Sequence, residues 1–287
     1  MSRHFRLSHQ PLPITRERVM ALDDGRARRI SFAYTHAGQP RRDPGPNYVG
    51  SFSVPFQETI GPIFEKETCI ELSRGQFGNF WCRIRTEEEF ARIEDWVHQQ
   101  GTRIFLRDCL DLSIALDLNF PEPGASHTAL GERENRAKHR RDEKAIRYLA
   151  EALVRAIRDL SFYRDCRFIA AVPAPPDKGF HLPNILVARV AAALGLTDLT
   201  NGFSFSGTKR SIKNLPMNEK WTAWENSGLA FDTPPPVDYD GSPVILIDDK
   251  YQSGTTIQFV AARMRAAGIG RIYGLCVVKT LRDTDNT

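Results

Sequence analysis

No stretch of this sequence reaches the roughly 18 uncharged apolar residues that a membrane span requires. Its first ten residues also lack the apolar core of a secretory signal. Five cysteines (Cys69, Cys82, Cys109, Cys166 and Cys276) are an odd number with no CxxC pair. That argues against a disulfide framework and against a zinc site, and neither His127 nor His139 stands at metal-ligand spacing from a cysteine. A reducing cytoplasm is the expected compartment. There is no internal repeat and no low-complexity tract. Strong net charge is missing too: 39 Lys and Arg against 35 Asp and Glu leave +4, too little for an overwhelming polyanion-binding field. The charge is uneven, with nine arginines against four acids in residues 1–50. Such a run is more often a solvated surface than a patch for phosphate or nucleic acid.

What is present is an ordinary globular composition, 41% hydrophobic and 26% charged, in a 287-residue chain long enough for two modest domains or one large one. In the first part, residues 29–35 and 48–56 read as strands, separated by a proline- and glycine-punctuated turn at 41–46. Residues 69–72 and 80–84 read as a further strand pair. Thr86 and Glu89 form a capping box for a helix whose apolar face is Phe90, Ile93 and Val97 and whose stop is Gly101. A strand at 103–106 follows. This predicts an N-terminal α+β region over 1–130, closed by the Pro-Gly-rich connection at 121–124, and a second domain over 131–287.

The second domain opens with one long helix over 133–160, with Ile146, Leu149, Leu153, Ile157 and Leu160 in a stripe at helical spacing. Its charge-crowded first turns read as a solvated face with ion pairs. Beyond residue 165 strands alternate with helices: a strand at 167–172, a helix opened by Pro183 and ended at Gly195, a short extended piece at 203–205, a strand at 244–247, a helix at 257–267 and a strand at 271–278. That order predicts an α/β fold, an open, mostly parallel sheet flanked by helices.

One segment carries chemistry. Val244-Ile245-Leu246-Ile247 is a buried strand, and Asp248-Asp249 stand at its carboxyl end, where open α/β sheets bind ligands. Gly254 lets the backbone approach closely, Ser253, Thr255 and Thr256 supply hydroxyls, and the next helix begins there with unpaired N–H groups. A phosphate fits the loop; a sugar diol or hydrated cation fits the acids. A phospho-receiver domain is excluded, because only 38 residues follow Asp249 (287 − 249) and such a domain needs roughly a hundred. A P-loop is excluded because the nearest match, Gly202 to Gly207-Thr208-Lys209, has Thr and Lys in the wrong order.

The segment resembles the phosphoribosyl-pyrophosphate (PRPP) motif of type I phosphoribosyltransferases, with Ser253, Gly254 and Thr256 matching. Lys250 departs from the usual aliphatic residue, and Gln252 stands where some purine enzymes have an acid. Val172-Pro173-Ala174-Pro175 with Lys178-Gly179-Phe180-His181, Leu215-Pro216-Met217-Asn218-Glu219-Lys220 and Gly228-Leu229-Ala230-Phe231 are similar, in order, to motifs of the ComF family. Together these cover about residues 167–279.

The resemblance implies a transferase that releases pyrophosphate on moving a phosphoribosyl group to a base, with Mg²⁺. Asp248 and Asp249 would hold ribose hydroxyls and the hydrated metal. Ser253, Gly254, Thr255 and Thr256 would take the 5′-phosphate. Ala174 and Lys178 would lie under the pyrophosphate, and Lys209, Arg210 and Lys213 would belong to a mobile lid. Because few residues follow the last strand, a base-covering hood is expected from residues 1–130, with Trp81, Trp96 and Phe120 as stacking candidates. A chain starting near Arg133 is then expected to keep ribose-5-phosphate binding and lose only transfer. The alternative is a non-catalytic, ComF-like nucleotide- or phosphoribosyl-binding protein in DNA or RNA processing, with the arginine-rich N-terminus as a nucleic-acid arm.

Overall fold

The computed structural model describes residues 11–35, 38–175, 177–208, 215–232, 239 and 241–282. Thirteen strands are described: β1 (Arg29–Ile30), β2 (Arg41–Gly45), β3 (Tyr48–Val54), β4 (Ser73–Arg74), β5 (Phe80–Ile84), β6 (Ile104–Leu106), β7 (Leu112–Leu118), β8 (Phe168–Ala171), β9 (Thr197–Asp198), β10 (Phe203–Phe205), β11 (Leu229–Phe231), β12 (Val244–Tyr251) and β13 (Ile272–Lys279). The helices are α1 (Arg16–Met20), α2 (Ile60–Thr68), α3 (Glu87–Gln100), α4 (Ala129–Arg140), α5 (Glu143–Asp159), α6 (Leu182–Leu194), α7 (Met217–Asn226) and α8 (Thr255–Ala266).

The fold is α/β. A seven-stranded sheet runs in the order β1-β6-β7-β13-β12-β8-β9. Its five strands from β7 to β9 are mutually parallel, and the β6 and β1 edge is antiparallel. Helices cover both faces, and alternation along β12 shows how. Ile245 and Ile247 enter the core shared with α5 and α6, whereas Val244 and Leu246 enter the core shared with α7 and α8. Short apolar runs buried on both sides are what a parallel sheet demands. A smaller antiparallel sheet, β2-β3-β5-β4, packs with α2 and α3. Phe52, Phe64 and Trp96 from this layer join the same core as Leu149 and Ile247.

Several expectations change. The sheet crosses the expected boundary at residue 130: β1, β6 and β7 come from before it and pair, through β13, with strands from after it. Residues 41–45 form a strand rather than a turn. β2 is an edge strand with a register shift between Arg42 and Gly45, so Pro44, which has no N–H to donate, does no damage there. The strand at 29–35 is confined to two residues. The single helix over 133–160 is two helices: Arg141 takes a left-handed conformation at φ 52°, and Asp142 restarts the helix by accepting from the N–H groups of Lys144 and Ala145. The capping box at α3 holds in a shifted form. Thr86 accepts from Glu89 N at 3.2 Å, but the Glu89 carboxylate reaches back to Arg85 N at 2.7 Å. No helix among the described residues is long and apolar enough to cross a membrane.

Candidate functional site

β12 runs four residues past the end of β8. Its pairing with β8 stops at Ile247 and Ala171, while pairing with β13 continues to Tyr251. Asp248 and Asp249 therefore belong to the strand itself, on a stretch whose β8 flank is open. Val172 N donates to Ile247 O at 2.9 Å, so the chain from Pro173 through Ala174 leaves the sheet beside the acid pair. This is the carboxyl end of the parallel strands, as expected of a ligand site.

The loop after β12 is built for a tight turn. Gly254 adopts φ 79° as N-cap of α8, and a Cβ there would be driven into the Tyr251 hydroxyl. Ser253 and Thr255 are buried, with hydroxyls 3.1 Å apart, and Thr256 Oγ1 accepts from Trp224 Nε1 at 3.3 Å. The loop is braced from behind by residues that no sequence motif marks. Arg28 Nη2 donates to Ser253 O at 2.9 Å, and Gln258 Nε2 donates to Gly254 O at 3.2 Å while its carbonyl takes Cys109 N at 2.9 Å. Tyr251 OH donates to Asp108 at 3.1 Å. The loop, Asp248, Lys250 and the buried Lys220 of α7 line a cavity of about 120 Å³. A much larger cleft, about 820 Å³, lies between α2, α3 and the end of α5. It shares no lining residue with the cavity at the loop and does not belong to this site.

Helix α4 closes the site from the other side. Thr128 donates to Leu118 O at 2.6 Å and accepts from Gly131 N at 3.0 Å, which pins the helix to the end of β7. The approach is so close that a Cβ at Gly131 would enter the Asn119 carbonyl oxygen. This sets Lys138 Nζ 2.7 Å from Asp249 Oδ2, and Lys250 Nζ 2.8 Å from Glu134 Oε2. Glu134 is fully buried. The charged face expected to be solvated thus points, in part, into the site.

The electrostatics follow from this packing. Burial and the neighbouring Asp249 charge push Asp248 above the ordinary carboxylate range. Burial also works against the charge on Asp249, but Lys138, with help from His181 and Lys250, holds it below that range. His181 is lowered, first by burial and then by the charges of Lys178 and Lys138, with Asn184 and Asp249 acting the other way. His181 is therefore within electrostatic reach of the acid pair. Lys178 is exposed on the same loop. Lys209, Arg210 and Lys213 lie outside the described residues. Of the stacking candidates, Trp96 is buried in an aromatic cluster with Phe32, Phe64 and Phe105. Trp81 lies on β5 of the smaller sheet. Phe120 stacks on His127 at 4.1 Å, in the connection between β7 and α4 at the carboxyl end.

Asp108 offers a test of the brace. Burial pushes its carboxyl from 3.8 to about 6, against the hydrogen bonds it accepts from Leu110 N and Tyr251 OH. A raised acid binds its proton more tightly in the folded chain, so stability falls as pH rises from about 4 to about 6. Asp108→Asn should remove a pH dependence of up to about 3 kcal/mol between those limits. Urea unfolding at pH 4, 5, 6 and 7 reads this directly, and parallel curves for the two proteins would refute it.

Compared with known proteins, the chain matches no protein-family model, and no curated protein matches it significantly.

Proposed function

We propose that the carboxyl-end site binds a 5-phosphorylated ribose, with PRPP as the fullest ligand, and that the protein is a phosphoribosyltransferase of the type I class. The observation that carries this reading is the junction of β12 and α8: an acid pair and a left-handed glycine loop within six residues of each other at the end of a parallel sheet. The loop suits a phosphate by its N–H groups and small residues. The acids suit a vicinal diol. Lys220 and Lys178 are cations of the kind a leaving pyrophosphate requires.

The Mg²⁺ that such a reaction uses fits only as a ligand-borne ion. Among the described residues no three His, Cys, Asp or Glu side chains gather to hold a metal, and Asp249 is already engaged by Lys138. Asp248, half-buried and accepting from Asp249 N at 2.9 Å, is the side chain left to meet a hydrated Mg²⁺ carried on phosphate oxygens. When bound, the ion neutralises charge on the departing pyrophosphate. The protein's part is to fix the ribose, exclude water and present cations. Gln252 cannot act as a base. The engagement of Asp249 by Lys138 favours a second reading, in which the site binds a nucleotide or phosphoribosyl ligand without transferring it.

Calorimetry with PRPP and Mg²⁺, followed by a pyrophosphate-release screen over free bases, separates the two. Asp248→Asn should weaken PRPP by about tenfold or more, since the side chain left to meet the hydrated ion is lost. The fold should be unchanged, because among the described residues no ion pair depends on Asp248. Unaltered affinity would sink the assignment.

A further inference from the structure

Four side chains of opposite sign alternate across the junction of α4 and β12. Lys250 Nζ lies 2.8 Å from Glu134 Oε2, Glu134 Oε1 lies 3.7 Å from Lys138 Nζ, and Lys138 Nζ lies 2.7 Å from Asp249 Oδ2. Glu134 is 0% exposed and Asp249 7%. Lys138 keeps a third of its side-chain surface. We propose that Lys138 is the resident cation of the acid pair, so that the protein itself binds no divalent metal there and holds ribose hydroxyls without one.

The argument is one of occupancy and charge. A divalent ion at buried carboxylates needs their oxygens and must be repaid for lost hydration. The ammonium already takes the Asp249 oxygen, and its charge repels a second cation at that distance. Lys138 cannot swing away cheaply. Its departure would strip Asp249 of its ion pair and leave the buried Glu134 with Lys250 alone. Lys250 thereby has a physical role where the phosphoribosyltransferase pattern has an aliphatic residue. It neutralises Glu134, and Glu134 anchors Lys138. Lys138 is a positioning residue in this scheme: it fixes the Asp249 carboxylate that the ligand meets.

The ligand half of the proposal rests on the ribose-phosphate reading; the exclusion of metal does not. Mn²⁺ titrated into the full-length protein, with the free ion followed by electron paramagnetic resonance, tests the second. The unaltered protein and Lys138→Arg should show no site at the acid pair, whereas Lys138→Met should gain one with affinity raised by about tenfold or more. Mn²⁺ binding by the unaltered protein as tight as by Lys138→Met would overturn the proposal, as would absence of binding by both. Should Lys138→Met fail to fold, Lys138→Gln takes its place, and Mn²⁺ bound at the acid pair of the unaltered protein is still refutation. Calorimetry with ribose-5-phosphate in EDTA or in Mg²⁺ tests the ligand half. The unaltered protein should give the same affinity in both, and Lys138→Met should lose about tenfold or more in EDTA and recover with Mg²⁺. A collapse of the unaltered protein's affinity in EDTA would overturn it. No ribose-5-phosphate binding in either buffer, with the Mn²⁺ results as expected, would sink the ribose reading and leave the metal exclusion standing.

Discussion

A chain shortened to begin at Arg133 is expected not to fold. The sequence alone argued the reverse, that such a piece would keep its phosphate contacts and lose only transfer. The difference lies in β7. Leu112, Ile114, Leu116 and Leu118 are all buried on a strand that pairs with β13 at the centre of the larger sheet. Burial of four such side chains contributes on the order of 6–12 kcal/mol, against a total stability of about 5–15 kcal/mol for an ordinary domain. Removing residues 1–132 also removes β6 and β1, leaves β13 as a long apolar edge, and deletes Arg28, Asp108 and Cys109 from behind the loop. The shortened chain should express insolubly or give no cooperative urea transition. A sharp transition with ribose-5-phosphate binding intact would show that the two halves are independent after all.

Gly254→Val should abolish measurable phosphate binding and lower stability, far beyond the effect of Thr255→Val. A residue with a Cβ at φ 79° costs about 1–2 kcal/mol in backbone strain alone. The clash is with Tyr251, which is 4% exposed and tethered through its hydroxyl to Asp108, so the ring cannot yield without giving up that bond. The loop must therefore open, and its N–H groups lose their common focus. Thr255→Val keeps the shape and loses one hydroxyl contact to Ser253, worth about 1 kcal/mol. Calorimetry with ribose-5-phosphate and thermal unfolding of both variants read the contrast. Equal affinities would count against the loop as the phosphate cradle.

The chemistry-bearing segment was legible because its signals are local. An apolar run, two acids, a glycine and a helix start stand in 13 consecutive residues. The central strands β8, β12 and β13 were legible for the same reason. β7 was not, although Leu-Ser-Ile-Ala-Leu-Asp-Leu is apolar enough for a buried strand. The Pro-Gly connection after it looked like a domain boundary, and nothing local says that a strand before such a connection pairs with one 161 residues later (273 − 112). The break at Arg141 was hidden because a left-handed arginine leaves no mark in the sequence; Asp142 followed by Glu143 was the available helix-start signal. Glu134 and Lys138 stood at a spacing that suits a solvated pair, and only the docking of α4 on the end of β7 decides that they face inward. The braces from Arg28, Asp108 and Gln258 are tertiary contacts with no motif at all.

The larger sheet ends on both sides in strands of two residues, β1 and β9. An edge that short offers another chain almost no run of free N–H and C=O groups to copy. Five parallel strands folding through non-local contacts are slow to assemble and exposed to aggregation while they do so. Through its larger sheet the finished molecule should therefore resist fibril seeding far better than its folding intermediates do.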